Sequence, residues 1–373
     1  MGIVRLEKKR VQPINEVNEV GRDHRSQLFF WLSISLPIAF FITVTTAVMI
    51  GAVQINPVTV WEITLSRTPF IGDWISQDWN TVYGQIIWGI RLPRVLLGAI
   101  VGAGLAIVGV SIQALVRNSL ADPFILGVSS GASVGATLVI LFGAFQLFGQ
   151  YALSVTAFLG ALISMVLVYF ISRIRNKITT TRLLLAGVAV SMMLGAATNY
   201  IVISSPNEEG MKDAMFWMMG SLAGARWDQL MIPAIVVVTG MLCLFIQYRP
   251  LNMLLMGEEA ASTLGVNIES FRKFLILLTA LLTGVIVAVS GAIGFIGLMI
   301  PHIVRVMVGS DHRRVLPISA LLGAIFMIWA DIGARVLAAP EELPVGIITA
   351  LCGGPFFIWL LRRGSYSFGG ERD

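Results

Sequence analysis

Between Asp122 and Arg173 the chain runs for 50 residues without a single Asp, Glu, Lys or Arg. A water-facing surface does not tolerate that, because about a quarter of the residues of a soluble domain are charged. In the whole chain of 373 residues only 13% are charged and 56% are hydrophobic. Other charge-free windows are 26–61, 95–116, 183–207, 229–248, 274–301, 315–330 and 343–361. One helix needs about 20 apolar residues to cross a bilayer, and the apolar content suffices for roughly ten crossings. A soluble enzyme, a disordered chain and a nucleic-acid binder are excluded. The fold class is all-α: a polytopic membrane protein with about ten transmembrane helices.

Two windows need dividing. Residues 123–172 are long enough for two helices, and Gly143 to Gln150 is the expected break. Residues 274–301 read either as one helix or as a tight hairpin, with Ser290, Gly291, Gly294, Gly297 and Pro301 crowding the second half. Charge bias decides. With a hairpin there are ten spans, both termini lie on one side, and that side holds 20 of the 26 Lys and Arg residues, which marks it as cytoplasmic. A single helix would invert the C-terminal half and put its basic loops outside. The reading is therefore a cytoplasmic N-terminal tail over 1–27, a ten-helix domain over 28–363 with a long cytoplasmic loop at 249–273, and a cytoplasmic C-terminal tail over 364–373. The first apolar window is an anchor, since it is too long for a signal peptide and lacks a small-residue cleavage site. Gly98/Gly102 and Gly127/Gly131/Gly135 have the spacing that lets helix backbones approach closely.

Catalytic patterns are missing. No Gly-x-x-x-x-Gly-Lys-Ser/Thr is present to cradle a nucleotide. His24, His302 and His312 are scattered, Cys243 and Cys352 sit in apolar segments, and no zinc pattern occurs. Neither a metal site nor a catalytic residue is expected. Asp331 and Arg335, four apart near the outer end of the ninth span, can pair. Few other ionisable groups sit in the spans, which disfavours a stand-alone ion-coupled carrier and leaves it as the alternative from another class. In the 249–273 loop, Gly257, Glu258 and Glu259 begin a short helix that Gly265 stops, with acidic residues suiting the helix dipole. Such a helix fits the groove of a soluble partner.

Taken in order, several segments resemble the FecCD-type permeases of ABC importers for iron-siderophores, haem and cobalamin. They are Arg91-Leu-Pro-Arg94, Gly98 to Leu105, Asn118-Ser-Leu-Ala-Asp-Pro123, Leu126 to Ala132, Thr179 to Gly187, Trp217 to Ser221, Gly257 to Val266, Gly291 to His302, Asp311-His-Arg313, Ala330 to Arg335 and Glu342 to Gly346. The resemblance covers about 85–363 and implies the type II ABC importer permease fold. It also implies the partners: a second permease subunit, identical or paralogous, two ATPase subunits that bind ATP and Mg, and an extracytoplasmic substrate-binding protein. The setting it implies is the inner or plasma membrane of a bacterium. No cofactor is expected on this chain itself.

The resemblance also assigns residues. Arg91, Arg94 and Arg335 would receive acidic groups of the binding protein, which accounts for three of the six basic residues left outside. Gly257, Glu258, Glu259, Ala260, Leu264 and Gly265 match the coupling helix that seats in the ATPase. Asn118 and Leu120, with Thr179, Thr180 and Thr181, match the segments that close the cytoplasmic mouth. Met192, Met193, Asn199 and Tyr200 on the fifth span are candidates to line the pathway. Ferric siderophore is the expected cargo, with haem and cobalamin as alternatives.

Overall fold

The computed structural model describes residues 14–362, apart from 52, 69–71, 175–176 and 206. The expected C-terminal tail and the first 13 residues of the N-terminal tail lie outside these. The rest of that N-terminal segment is already helical, because α1 runs unbroken over Ile14–Met49. Next come α2 (Pro57–Ser66), capped by the Asn56 side chain, and the single turn α3 (Thr81–Gly84). The segment 54–82, which carries none of the family motifs, therefore contains a helix. From α3 the chain passes through a π-helical stretch, Gln85–Arg91, into α4 (Leu92–Val116). The widening has a local cause: Pro93 has no N–H to offer the carbonyl of Gly89, and its ring crowds that oxygen.

The following helices are α5 (Val128–Phe142), α6 (Ala152–Ser172), α7 (Thr180–Ile203), α8 (Glu208–Met218) and α9 (Met231–Ile246). Between α6 and α7, β1 (Arg173–Ile174) and β2 (Lys177–Ile178) form an antiparallel ladder. Then come α10 (Tyr248–Leu255), α11 (Glu258–Thr263), α12 (Ile268–Ser290), α13 (Ile296–Val308), α14 (His312–Val336) and α15 (Val345–Arg362).

Among the described residues eight helices are long and apolar enough to cross a membrane, and α5 and α13 are shorter apolar helices that complete the expected ten. Both divided windows break where charge and glycine placed the breaks: α5 gives way to α6 across Gly143–Tyr151, and α12 to α13 across Gly291–Phe295. Gly291 has φ +66°, and a side chain there would collide with the carbonyl of Trp217. Only glycine fits both demands.

The bundle is organised around α4. In its most apolar stretch 83% of residues are buried, against 11% for α1, which lies at the periphery. The principal neighbour of α4 is α14. A Cβ on Gly102 would overlap the carbonyl oxygen of Gly323, and one on Gly323 would crowd Gly102. Backbone contact replaces side-chain contact there, which is how helices pack closely where no hydrophobic effect drives them together.

Candidate functional site: an ionic cluster and an exposed elbow at opposite ends

At one end of the bundle the arginines of α4 and α14 converge. Arg94 Nε donates to Asp331 Oδ1 at 2.9 Å, and Arg94 Nη1 donates to both carboxylate oxygens of Glu342 at 2.8 and 3.0 Å. Arg335 Nε lies 3.1 Å from Asp331 Oδ2, so the i,i+4 pairing read from the sequence is present. Asp331 thus sits between two guanidinium groups. A buried carboxylate is costly unless paired, and this one is paired twice.

The remaining donors go to backbone. Arg91 Nη1 donates to the carbonyls of Val48 and Met49 at 2.8 and 3.0 Å, and its Nη2 donates to Val53 at 2.6 Å. Arg335 donates to the carbonyls of Ile50 and Ala47 at 2.9 and 3.1 Å. All of these carbonyls but that of Val53, which lies just beyond, close the C-terminal end of α1. The last carbonyls of a helix have no intrahelical partner and carry the negative end of its dipole. Arg91 and Arg335 therefore cap α1 with charge as well as with hydrogen bonds. Sequence spacing carries no signal for this use of the two arginines.

The three arginines assigned to docking are accordingly together at one end, and all face inward. Arg91 and Arg94 are buried. The member that reaches solvent is Glu342, whose side chain is 39% exposed. Three cations against two carboxylates leave one net positive charge beneath that surface.

At the opposite end α10 and α11 form an elbow between α9 and α12. The sequence suggested one short helix; the structure has two, joined at Gly257 with φ +110°. Gly265, with φ +91°, ends α11 as expected. Glu258 accepts from Arg272 Nη2 at 2.5 Å, which ties the start of α11 to α12. Ala261 is buried, while Met256 and Leu264 are 68% and 55% exposed. Apolar side chains on an exposed elbow are the chemistry of a helix that seats in a partner groove.

Asn118 and Leu120 lie in the turn after α4. Asn118 Oδ1 accepts from the Leu120 N–H at 2.9 Å. In the same turn Asp122 Oδ1 accepts from the Phe124 N–H at 2.7 Å, and burial holds the Asp122 carboxyl above the usual carboxylate range. Thr179 caps α7, and Thr180 and Thr181 open its first turn. The turn Pro123–Leu126 packs on α7, where Gly187 meets the carbonyl of Ile125. The two segments assigned to the mouth thus belong to one corner of the bundle. Met192, Met193, Asn199 and Tyr200 are all exposed on one face of α7 rather than gathered around an internal cavity. Cys243 and Cys352 are both free and exposed. Among the described residues no group of three or more His, Cys, Asp or Glu side chains is placed to hold a metal ion.

The profile of the FecCD transport family matches residues 39–363. Over 279 residues the chain is 48% identical to the cobalamin import system permease BtuC of Halobacterium salinarum, covering 74% of each protein. It is 43% identical to the hemin transport system permease HmuU of Yersinia pestis over 291 residues, 76% of this chain and 86% of that one. Among solved structures, a chain of an ABC transporter of metal-chelate type in an inward-facing conformation matches with a TM-score of 0.77 at 32% identity, covering 91% of this chain and 99% of that chain.

Proposed function

Because the chain belongs to the FecCD transport family, we propose that it passes a tetrapyrrole metal chelate, delivered by an extracytoplasmic binding protein, into the cytoplasm at the expense of ATP hydrolysed by partner ATPase subunits. The observation that carries the reading is the two-ended arrangement: the ionic cluster of Arg91, Arg94 and Arg335 at one end, and the exposed α10–α11 elbow at the other. The charge bias orients the elbow to the cytoplasm, together with both termini.

On this reading the binding protein lands over the arginine cluster. An acidic group of the binding protein takes the place of Glu342 on Arg94, the one carboxylate of the cluster that solvent reaches. Gly257, Glu258, Glu259, Ala260, Leu264 and Gly265 form the seat for the ATPase. The exposed α7 face with Met192, Met193, Asn199 and Tyr200 meets the matching face of a second permease subunit and lines the pathway between them. Asn118 and Leu120, with Thr179 to Thr181, close its cytoplasmic mouth. ATP binding favours one access state and ligand delivery the other, so the cycle runs on differential affinity for two conformations.

The two relatives described above are named for cobalamin and hemin, which supports a tetrapyrrole over the ferric siderophore expected from the sequence. Titrating the cognate binding protein with cobalamin, haem and ferric siderophores tests the cargo. Tight binding of either tetrapyrrole is expected. Exclusive binding of a siderophore would overturn the cargo assignment and leave the permease role standing. For the role itself, uptake into vesicles should stop when the ATPase subunits are removed and survive a protonophore. The opposite pair of results would make the chain an ion-coupled carrier.

A further inference from the structure

Glu258 ties α11 to α12, and the side chain that pins α10 to the start of α14 is that of Asn252. Asn252 Oδ1 accepts from the backbone N–H of His312 at 2.9 Å and lies 2.7 Å from His312 Nδ1. Asn252 Nδ2 donates to Asp311 Oδ1 at 2.8 Å. The same Asp311 oxygen caps α14 by accepting from the Arg313 N–H at 3.0 Å. Asn252 is thus bound to the first turn of α14, beside a fully buried His312. Leu251 and Leu254, both buried, fasten α10 on either side of it. Apolar contacts of that kind can slide. Three directional hydrogen bonds to one helix start cannot.

From that start α14 runs for 25 residues, about 37 Å at 1.5 Å per residue, with Pro317 in its second turn. It ends in Asp331 and Arg335, the centre of the ionic cluster. Along the way it is locked to α4 through Gly102 and Gly323, and at its far end through Arg94 and Asp331. At the near end of α4, Gln113 accepts from Arg305 of α13 and donates to the carbonyl of Leu298 at 3.2 Å. The pair α4–α14 is thus close-packed at Gly102 and Gly323 and ion-paired at the far end, while at the near end α4 is held to α13.

We propose that Asn252 is the joint through which displacement of the α10–α11 elbow is handed to α14, so that α4 and α14 move as one strut and carry ATPase motion to the ionic cluster. Asn252 is a positioning residue in this scheme, touching neither cargo nor nucleotide. The inference rests on the proposed roles of the elbow and the cluster, and energetic coupling needs such a contiguous element that both ends bias.

The test uses the complete importer, with ATPase and binding protein, reconstituted in lipid. Asn252→Leu keeps the volume and removes the hydrogen bonds. Asn252→Asp keeps the acceptor for His312 but sets a carboxylate against Asp311. Both variants should retain the ATPase on purification and keep basal ATP hydrolysis. Stimulation of hydrolysis by loaded binding protein, and uptake, should fall by roughly tenfold or more, within the usual range of coupling between sites. Should Asn252→Leu not accumulate, Asn252→Asp carries the test. Wild-type stimulation and uptake would overturn the joint. So would loss of ATPase association, which would make Asn252 part of the partner's seat instead. A wild-type chain that holds no ATPase would defeat the importer reading itself, whatever the variants do.

Discussion

Arg94 grips Glu342 through a single nitrogen that reaches both carboxylate oxygens, at 2.8 and 3.0 Å, across 248 residues of sequence. Glu342 is the exposed member of a cluster whose other carboxylate, Asp331, is buried. On the proposed function it occupies the place that an acidic group of the binding protein takes on docking. Glu342→Gln should therefore raise the affinity for the binding protein. Its exposed neighbour Glu341 has no ion pair among the described residues, so Glu341→Gln should change affinity much less while altering net charge equally. Affinity measured by surface binding at two salt concentrations distinguishes the cases. Equal gains in both variants would point to general electrostatics alone.

Asp331 is the keystone of the same cluster. Removing one partner of a buried ion pair leaves uncompensated charge and costs about 3–5 kcal/mol. Asp331→Ala should lower thermal stability in detergent by that order. The double variant Arg94→Ala/Asp331→Ala should lose less than the two single variants together, because the second change removes a charge already stranded. Strict additivity would mean that the pair contributes nothing as a pair.

Glu258 and Glu259 open α11, and Glu258 is tied to Arg272. Reversing both to Lys places like charge beside Arg272 and against the dipole at the helix start. Association with the ATPase should weaken, measured by co-purification, and uptake should fall with it. Unchanged co-purification and uptake would remove these residues from the seat.

Asp122 gives the pH dependence a sign. Burial raises its folded pKa above the ordinary carboxylate value, so the folded state favours the protonated form more than the unfolded state does. The stability linked to this group is fully present below the unfolded pKa and is lost as pH rises through the folded one. Asp122→Asn keeps a side-chain oxygen for the Phe124 N–H and has no charge to bury. Its stability relative to wild type should therefore grow with pH from about 4 upward, where free carboxyls of this kind titrate. A gap that is constant or narrows with pH would contradict the assignment.

The spans were legible because lipid demands long uncharged helices, and charge bias then located the Gly291 turn without any structural knowledge. The pairing of Asp331 with Arg335 was legible for the same kind of reason: a four-residue spacing on one helix. The elbow was legible as a helix start and a glycine stop, yet its division at Gly257 was not, since α10 shows no capping signal at the sequence level. What stayed hidden was long-range. Nothing local links Glu342 to Arg94, Asn252 to His312, or Arg91 and Arg335 to the carbonyls of α1. Arg91, Arg94 and Arg335 were assigned to docking through the family resemblance, and the inward direction that the structure gives them follows from tertiary demand for donors at the end of α1.

That demand has a consequence for the order in which the protein is built. The closing carbonyls of α1 meet Arg91 after 43 more residues have been made, but Arg335 lies 285 residues beyond Ile50. Although α1 precedes every other described helix, its end is thus among the last parts of the bundle to be finished. Until the ninth crossing is inserted, two of its terminal oxygens must be served by headgroups or water. Truncated chains ending before α14 should hold α1 loosely, open to quality-control proteases that the complete chain resists.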